Sequence, residues 1–354
     1  MQTEVSQELK RLIDKMNISL RPVILDKQFE IAPYTKGTNS ERRREASLQD
    51  IGYNLSYLAQ AIELNSPNLF VSYSNWLKGL MLDLGFSITS VIENFRAMKI
   101  VMLDNFPVDY HTIISEYIEI GIKELGQDFI PDESYIDPAK PYSKHALDFL
   151  AYALGGKRHE ASQLILSLVK NGVPIKTIYL EILQKVQYEV GHLWHTNKIS
   201  IAQEHYITSL IQLVISQLYP FILNNKPNNK TLISACISGE LHEIGLRMLS
   251  DIFELEGWDT WFLGANLPDQ EIISMIKDKK PDVLALSVTM TFHLDKLTKL
   301  IQKIRDAGIS TPIMVGGYPF NNDRTLWKKV GADGWAMDPD HALKFAARLT
   351  ELAG

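Results

Sequence analysis

Along the chain, the spacing of apolar positions changes character twice, and these changes divide it into three blocks. After a polar stretch from Tyr34 to Arg44, apolar residues recur at helical spacing from Leu48 through Ile62, which predicts an amphipathic helix. Ser66-Pro67 predicts the next start, with a serine N-cap and a proline in the first turn, followed by Leu69, Phe70, Tyr73, Trp76, Leu77 and Leu80. Gly85 ends that helix. Ser87 can cap another through Val91, Ile92, Phe95 and Met98, and Pro107-Val108-Asp109 opens a last one carrying Ile113, Ile114, Tyr117 and Ile118. Residues 1–127 therefore read as an all-helical module with its aromatic positions in the core. Residues 128–141, broken by Pro131, Pro138 and Pro141 and without helical period, read as a linker.

The second block, residues 142–226, predicts helices near 142–154, 158–171, 174–195 and 199–224. Breaks fall at Gly155-Gly156, at Asn171-Gly172 and at Thr196-Asn197-Lys198. Short connections between antiparallel helices make this a four-helix bundle. From Thr231 short apolar runs alternate with amphipathic helices: TLISACIS then 244–255, DTWFLG then 269–276, DVLALSV then 294–304, PIMVGG then 323–330, and GWAM then 341–352. Five such units over residues 227–354 predict a Rossmann-like (flavodoxin-like) five-stranded parallel sheet with helices on both faces. The fold class is multidomain, α followed by α/β.

Composition narrows the function. Subtracting 36 Lys+Arg from 42 Asp+Glu gives a net charge of −6, so no overall electrostatic footprint favours nucleic acid. The run Glu41-Arg42-Arg43-Arg44-Glu45 is short and flanked by acids, and reads as a solvated helix start. No direct DNA binding is expected. Cys236 is the single cysteine, which excludes intramolecular disulfides and cysteine-based metal clusters. The opening residues lack an apolar signal segment and no run of about 18 apolar residues occurs. The expectation is a cytoplasmic protein without a membrane partner.

In a doubly wound sheet, ligands bind beyond the carboxyl ends of the strands, where the strand order reverses. Directly after the first strand stands Ser238-Gly239-Glu240-Leu241-His242-Glu243-Ile244-Gly245. It has neither the glycines of a dinucleotide site nor the Gly-Lys-Ser/Thr of a phosphate loop. Instead, Glu240 can bond one ring nitrogen of His242 and leave the other for a metal. Ser287-Val288-Thr289 ends the third strand, Gly316-Gly317 ends the fourth, and Gly331-Ala332-Asp333-Gly334 precedes the fifth. E-x-H-x-x-G (ending at Gly245), S-x-T and G-G in this order resemble the cobalamin-binding domain of methionine synthase, corrinoid carriers and mutases, over residues 231–350. The resemblance implies that His242 is the lower axial cobalt ligand and that the nucleotide tail threads between sheet and helices past Ser287, Thr289, Gly316 and Gly317. Glu240 replaces the usual aspartate, which leads us to expect a longer or differently angled bond to His242.

The bundle carries Trp194-His195 and then Glu204-His205, a W-x9-E-H pattern that resembles the light-responsive CarH and LitR repressors over residues 142–350. That resemblance implies a bundle capping the upper face of adenosylcobalamin, with Trp194 against the adenosyl group and Glu204 and His205 hydrogen-bonding to it or orienting groups that do. It also implies that His195 takes cobalt from above once light has broken the cobalt–carbon bond; His192 reads as a neighbour without a role. Residues 1–127 do not resemble the winged helix of those repressors. The reading is a non-enzymatic, cobalamin-dependent light sensor, homo-oligomeric, signalling to a partner protein. Adenosylcobalamin is the favoured form, with methylcobalamin open. A corrinoid methyl carrier of a methyltransferase system and a sensor of another tetrapyrrole are the alternatives; a mutase would need a substrate barrel.

Overall fold

A computed structural model describes residues 2–36, 41–128, 134–222 and 226–352, which form two compact units. Part of the expected linker, residues 129–133, and part of the boundary after the bundle, residues 223–225, lie outside the described residues.

The first unit comprises residues 1–131 with two later segments, 290–295 and 318–330. Its long helices are α1 (Gln2–Ile31), α2 (Glu41–Glu63), α3 (Pro67–Asp83), α4 (Ile88–Asn105) and α5 (His111–Leu125). Helices α1 and α2 form an antiparallel hairpin that buries Leu9, Ile13, Leu20 and Ile24 on one side and Ile51, Leu55, Leu58 and Ile62 on the other. Each fully buried aliphatic side chain here contributes about 1.5–3 kcal/mol relative to exposure. A buried polar chain crosses this core. Tyr73 Oη donates to Asn54 Oδ1 (2.6 Å), Asn54 to Asn94 (3.0 Å), Asn94 to Gln28 (2.8 Å), and Gln28 to the carbonyl of Ser90 (3.1 Å).

Two expectations for this unit need correction. Phe70, Tyr73, Phe95 and Tyr117 are core residues, but Trp76 is exposed on the outer side of α3. Ser66 and Ser87 occupy the N-cap positions of α3 and α4 without making a side-chain cap. The Ser66 hydroxyl instead donates to Asp323 at 2.6 Å, a long-range partner that no local signal could reveal.

The second unit holds the bundle and the sheet (132–289, 296–317 and 331–354). The bundle helices are α6 (Ser143–Leu154), α7 (Arg158–Lys170), α8 and α9 (Ile201–Leu218). Helix α8 runs through Ile175–Thr177, a π-helical stretch at Ile178–Leu183, and Gln184–His195. A capping box starts α9, with Ser200 and Gln203 exchanging side chain and backbone contacts.

The sheet contains β1 (Thr231–Cys236), β2 (Asp259–Phe262), β3 (Val283–Ser287), β4 (Ile313–Gly316) and β5 (Gly334–Trp335), all parallel, in the order β2-β1-β3-β4-β5. The order reverses at β1 and β3, so their carboxyl ends form the switch point. The crossover helices are α10 (Ile244–Leu255), α11 (Asp269–Lys279) and α12 (Leu294–Asp306). Where a single helix over 323–330 is expected, the chain forms two short ones, α13 (Tyr318–Asn322) and α14 (Leu326–Lys329), before α15 (Pro339–Leu352). Asp323 lies between them and binds Thr325, Ser66 and Lys329, which interrupts the helix. Helices α10 and α15 share one face of the sheet. Ile244, Met248 and Ile252 of α10 also join the bundle core beside Tyr179, Ile211 and Ile215, with Leu343 of α15 packed against it, so bundle and sheet share these two helices.

Candidate functional site

Strand β1 ends at the switch point, and Gly239 turns the chain with φ +87°, a conformation that favours glycine. That turn brings Glu240 under the following residues. Its carboxylate is wholly buried, accepts from the backbone N–H of Leu241 (3.0 Å) and His242 (3.1 Å) through Oε1, and from Thr289 N–H (2.8 Å) through Oε2. The same Oε1 lies 2.5 Å from His242 Nδ1. Of the two expectations, a longer or a differently angled bond, the longer one does not occur: the extra methylene of glutamate is taken up as the carboxylate folds back onto its own loop.

Such a carboxylate, already stabilised by three backbone donors, is a strong acceptor for a hydrogen bond from Nδ1–H. The other ring nitrogen of His242, Nε2, then carries the lone pair that a metal requires. The His242 side chain is 55% exposed, so that lone pair is accessible. Cys236 Sγ lies 3.7 Å from the carbonyl of His242 and steadies the backbone. Burial, reinforced by Glu240 and Glu243, pushes the Cys236 thiol up to about 12, so it is no thiolate ligand at neutral pH. Among the described residues no cluster of three or more metal-ligating side chains exists. A lone histidine suits a metal whose remaining positions are supplied by a macrocycle.

The layer between the sheet and helices α10 and α15 has an unusual lining. Leu232 and Cys236 of β1, Val283 and Ala285 of β3, and Met314 of β4 face it. Alternation along each strand puts Ser234, Ser287 and Gly316 on the same face. On α10 the face that carries Leu246 and Phe253 also carries Ser250. Ser234 Oγ and Ser250 Oγ are buried and have no hydrogen-bond partner among the described residues. Unpaired buried hydroxyls are costly, and a polar ligand in this layer would supply both with a partner. At the sheet edge Gly317 has φ +110°, and a Cβ there would stand 2.0 Å from the carbonyl oxygen of Val288; the two loops meet backbone to backbone. Gly245 has open space where a Cβ would stand. Asp333 has a structural task, accepting from Ile313 N–H and pairing with Arg305.

On the bundle side, Trp194 ends α8 and is 41% exposed, which excludes a core role for the indole. His195 is half-buried beside it. Glu204 accepts from Thr208 Oγ1 (2.8 Å) and lies 2.5 Å from His205 Nδ1, whose ring is largely exposed. His192 packs edge-on to Tyr135 at 6.2 Å, a structural contact. Glu204, Thr208, Gln212 and Ser216 form a polar stripe along α9 at four-residue spacing. Thr208 bonds Gln187 of α8 (3.0 Å), Gln212 donates to Glu243 (3.0 Å), and Ser216 accepts from Arg247 (3.0 Å). Gln212 therefore sits at the residue after His242. Eight residues earlier along α9, at a rise of about 1.5 Å each, Glu204 stands roughly 12 Å beyond that contact. Gly191, three residues before Trp194, has open space at its Cα.

Sequence reasoning missed Ser234, Ser250, Gln212 and Glu243. Their signals were present, as a serine inside an apolar strand, a serine on the buried face of α10, and a four-residue polar stripe on an otherwise apolar helix.

Comparison with known proteins identifies the two domains that carry these residues. Residues 230–344 match a family model described as B12 binding domain, and residues 148–219 match a second model with the same description. The chain is 29% identical over 120 residues to the HTH-type transcriptional repressor CarA of Myxococcus xanthus, covering 34% of this chain and 41% of that one. It is 22% identical over 166 residues to Dimethylamine corrinoid protein 1 of Methanosarcina acetivorans, 46% of this chain and 76% of that one. It thus spans less than half of the repressor's length. The solved monomethylamine corrinoid protein of Methanosarcina barkeri shares the fold with a TM-score of 0.51 at 19% identity, covering 60% of this chain and 98% of that one. The bundle and the sheet domain together make this a cobalamin-binding protein. The orphaned hydroxyls of Ser234 and Ser250, the glycine-lined sheet edge and the free Nε2 of His242 fit such a cofactor.

Proposed function

We propose that this chain is a cobalamin-dependent light sensor that uses adenosylcobalamin, works as a homo-oligomer and signals to a partner protein without catalysing a reaction. The observation that carries this reading is the exposed Trp194 at the end of α8 together with the Glu204–His205 pair at the start of α9, Glu204 lying about 12 Å along that helix from the Gln212–Glu243 contact next to His242. The cofactor supplies a cobalt–carbon bond that light can break.

Everything else falls to the chain. His242 would hold the metal through Nε2, with Glu240 fixing its tautomer. The indole of Trp194 would cover the adenosyl group, its flat apolar surface matching a purine. His195 sits next to Trp194 at the end of α8, and the following turn at Thr196, with Asn197 at φ +54°, is a short hinge. His195 would be the imidazole placed to ligate the metal after light has acted. Such ligation would shift the end of α8 and so bias two packings of the unit.

A second reading is a corrinoid methyl carrier. It is favoured by the alignment to Dimethylamine corrinoid protein 1, which covers 76% of that protein. An absorption spectrum of protein loaded with adenosylcobalamin, taken before and after green light beside size-exclusion chromatography, separates them. A light-dependent spectral change with a shift in elution volume is the expected outcome. A spectrum that changes with no change in elution volume or ligation by the protein favours the carrier.

A further inference from the structure

The residues at the cofactor seat do not end within the sheet. Thr289, whose N–H donates to Glu240, is followed at once by 290–295, and Gly317 is followed at once by 318–330. Both segments belong to the compact unit built by the N-terminal helices. Phe292, three residues beyond Thr289, sets its ring edge-on to Tyr57 of α2 (centroids 5.7 Å apart, planes at 89°). Tyr57 stacks on Tyr73 of α3 at 3.8 Å, and Tyr73 heads the buried amide chain through Asn54 and Asn94 to Gln28. Asp295 pairs with Lys10 of α1 at 3.3 Å.

The second segment is held as firmly. Asp323 accepts from Ser66 at the start of α3 (2.6 Å) and pairs with Lys329 (3.2 Å), whose ammonium also donates to the carbonyl of Asn65 (3.1 Å). Burial alone would favour a neutral Asp323, but the bonds from Ser66 and Thr325 and the charge of Lys329 outweigh it and hold the carboxyl at about 2. A fully ionised, triply engaged carboxylate makes this junction stiff at any physiological pH.

From this layout we infer that the N-terminal helical unit is the readout of cobalamin occupancy, driven by segments 290–295 and 318–330. Thr289 is tied to the carboxylate that orients His242, and Gly317 touches Val288 backbone to backbone. A cofactor seated on His242 and between the strands loads both points, and three to six residues later the chain is bonded into α1, α2 and α3. Because bonded neighbours on both segments are discrete contacts, a shift there changes the packing of Tyr57 and Ser66 instead of dissipating in a loop. The inference rests on the cobalamin site and not on the response to light.

The test is hydrogen–deuterium exchange of the full chain in darkness, with and without hydroxocobalamin, after gel filtration has shown by absorbance whether cobalamin is retained. Exchange across residues 41–83 is expected to change on binding. In a double variant, Ser66→Ala with Phe292→Ala, cobalamin should still be retained, while the change across 41–83 falls by at least about threefold. Single Lys329→Ala, at an exposed site, should give a smaller reduction in the same direction. Unchanged exchange across 41–83 in the wild type, or an undiminished change in the double variant, overturns the inference. If no cobalamin is retained by the wild type, the site itself is misread and the inference goes with it.

Discussion

The Glu240–His242 loop and the bundle region carrying Trp194, Glu204 and His205 are built on opposite principles. In the loop, the carboxylate of Glu240 is fully buried and engages three backbone donors as well as His242. In the bundle, Trp194 and His205 are exposed, and among the described residues the Glu204 side chain bonds only its neighbour and a residue one turn on. A histidine held this rigidly would lose little order on binding a metal. The residues around Trp194 and His205 have few constraints to break.

The largest effect expected from breaking this contrast is in the loop. His242→Ala should weaken cobalamin retention at least about 100-fold, or leave the cofactor's own base on cobalt, as read by absorbance after gel filtration. Glu240→Gln keeps an acceptor for Nδ1 but gives up the charge, and should cost about tenfold in affinity. Identical affinity and spectrum for His242→Ala and wild type would mean that the metal is held elsewhere. In the bundle the effect should be smaller and selective. Trp194→Ala should reduce the preference for adenosylcobalamin over methylcobalamin by about tenfold, with little change in overall retention. Equal preference in variant and wild type would point to a methyl group as the natural upper ligand. His195→Ala should bind in darkness as the wild type does and differ only in the spectrum after illumination; an identical final spectrum would move the role to another residue, His205 first.

How far these features can be read from sequence follows from the range of the contacts. The five-stranded sheet and the four helices of the bundle are written in local periodicity, and the breaks at Gly155-Gly156 and Asn171-Gly172 fall where the helices stop. The Glu240–His242 pair was legible because its partners are two residues apart. The third donor, Thr289 N–H, comes from another strand and could be guessed only through the S-x-T motif. Ser66 shows the limit from the other side: its local signal for a helix cap was correct in position, yet the hydroxyl bonds Asp323, 257 residues away. Likewise nothing local announces the π-helical stretch at Ile178–Leu183, because an extra residue in a turn leaves the apolar period almost unchanged.

That π-helical stretch joins the two contrasted regions, and the last and smallest prediction tests the joint. Tyr179 lies in it, fully buried, and donates to Asp251 of α10 at 2.6 Å. Burial pushes the Asp251 carboxyl up to about 6, against the opposing pull of the Tyr179 bond and of Arg247. In the unfolded chain an aspartate titrates near 3.9. Between those two values the folded protein therefore keeps a proton that the unfolded chain has lost, so stability falls as pH rises from about 4 to about 6 and levels off above. Once ionised, Asp251 costs about 1–3 kcal/mol relative to its protonated form. Asp251→Asn keeps a carbonyl to accept from Tyr179 and cannot ionise. It should stabilise the protein at pH 7–8 by about 1–2 kcal/mol and make little difference at pH 4, measured by urea unfolding across that range. Tyr179→Phe should do the opposite at neutral pH, leaving a charged carboxylate without its donor. A difference between Asp251→Asn and wild type that stays constant from pH 4 to pH 8 would show that the carboxyl is not held out of water, and that bundle and sheet meet there through apolar packing alone.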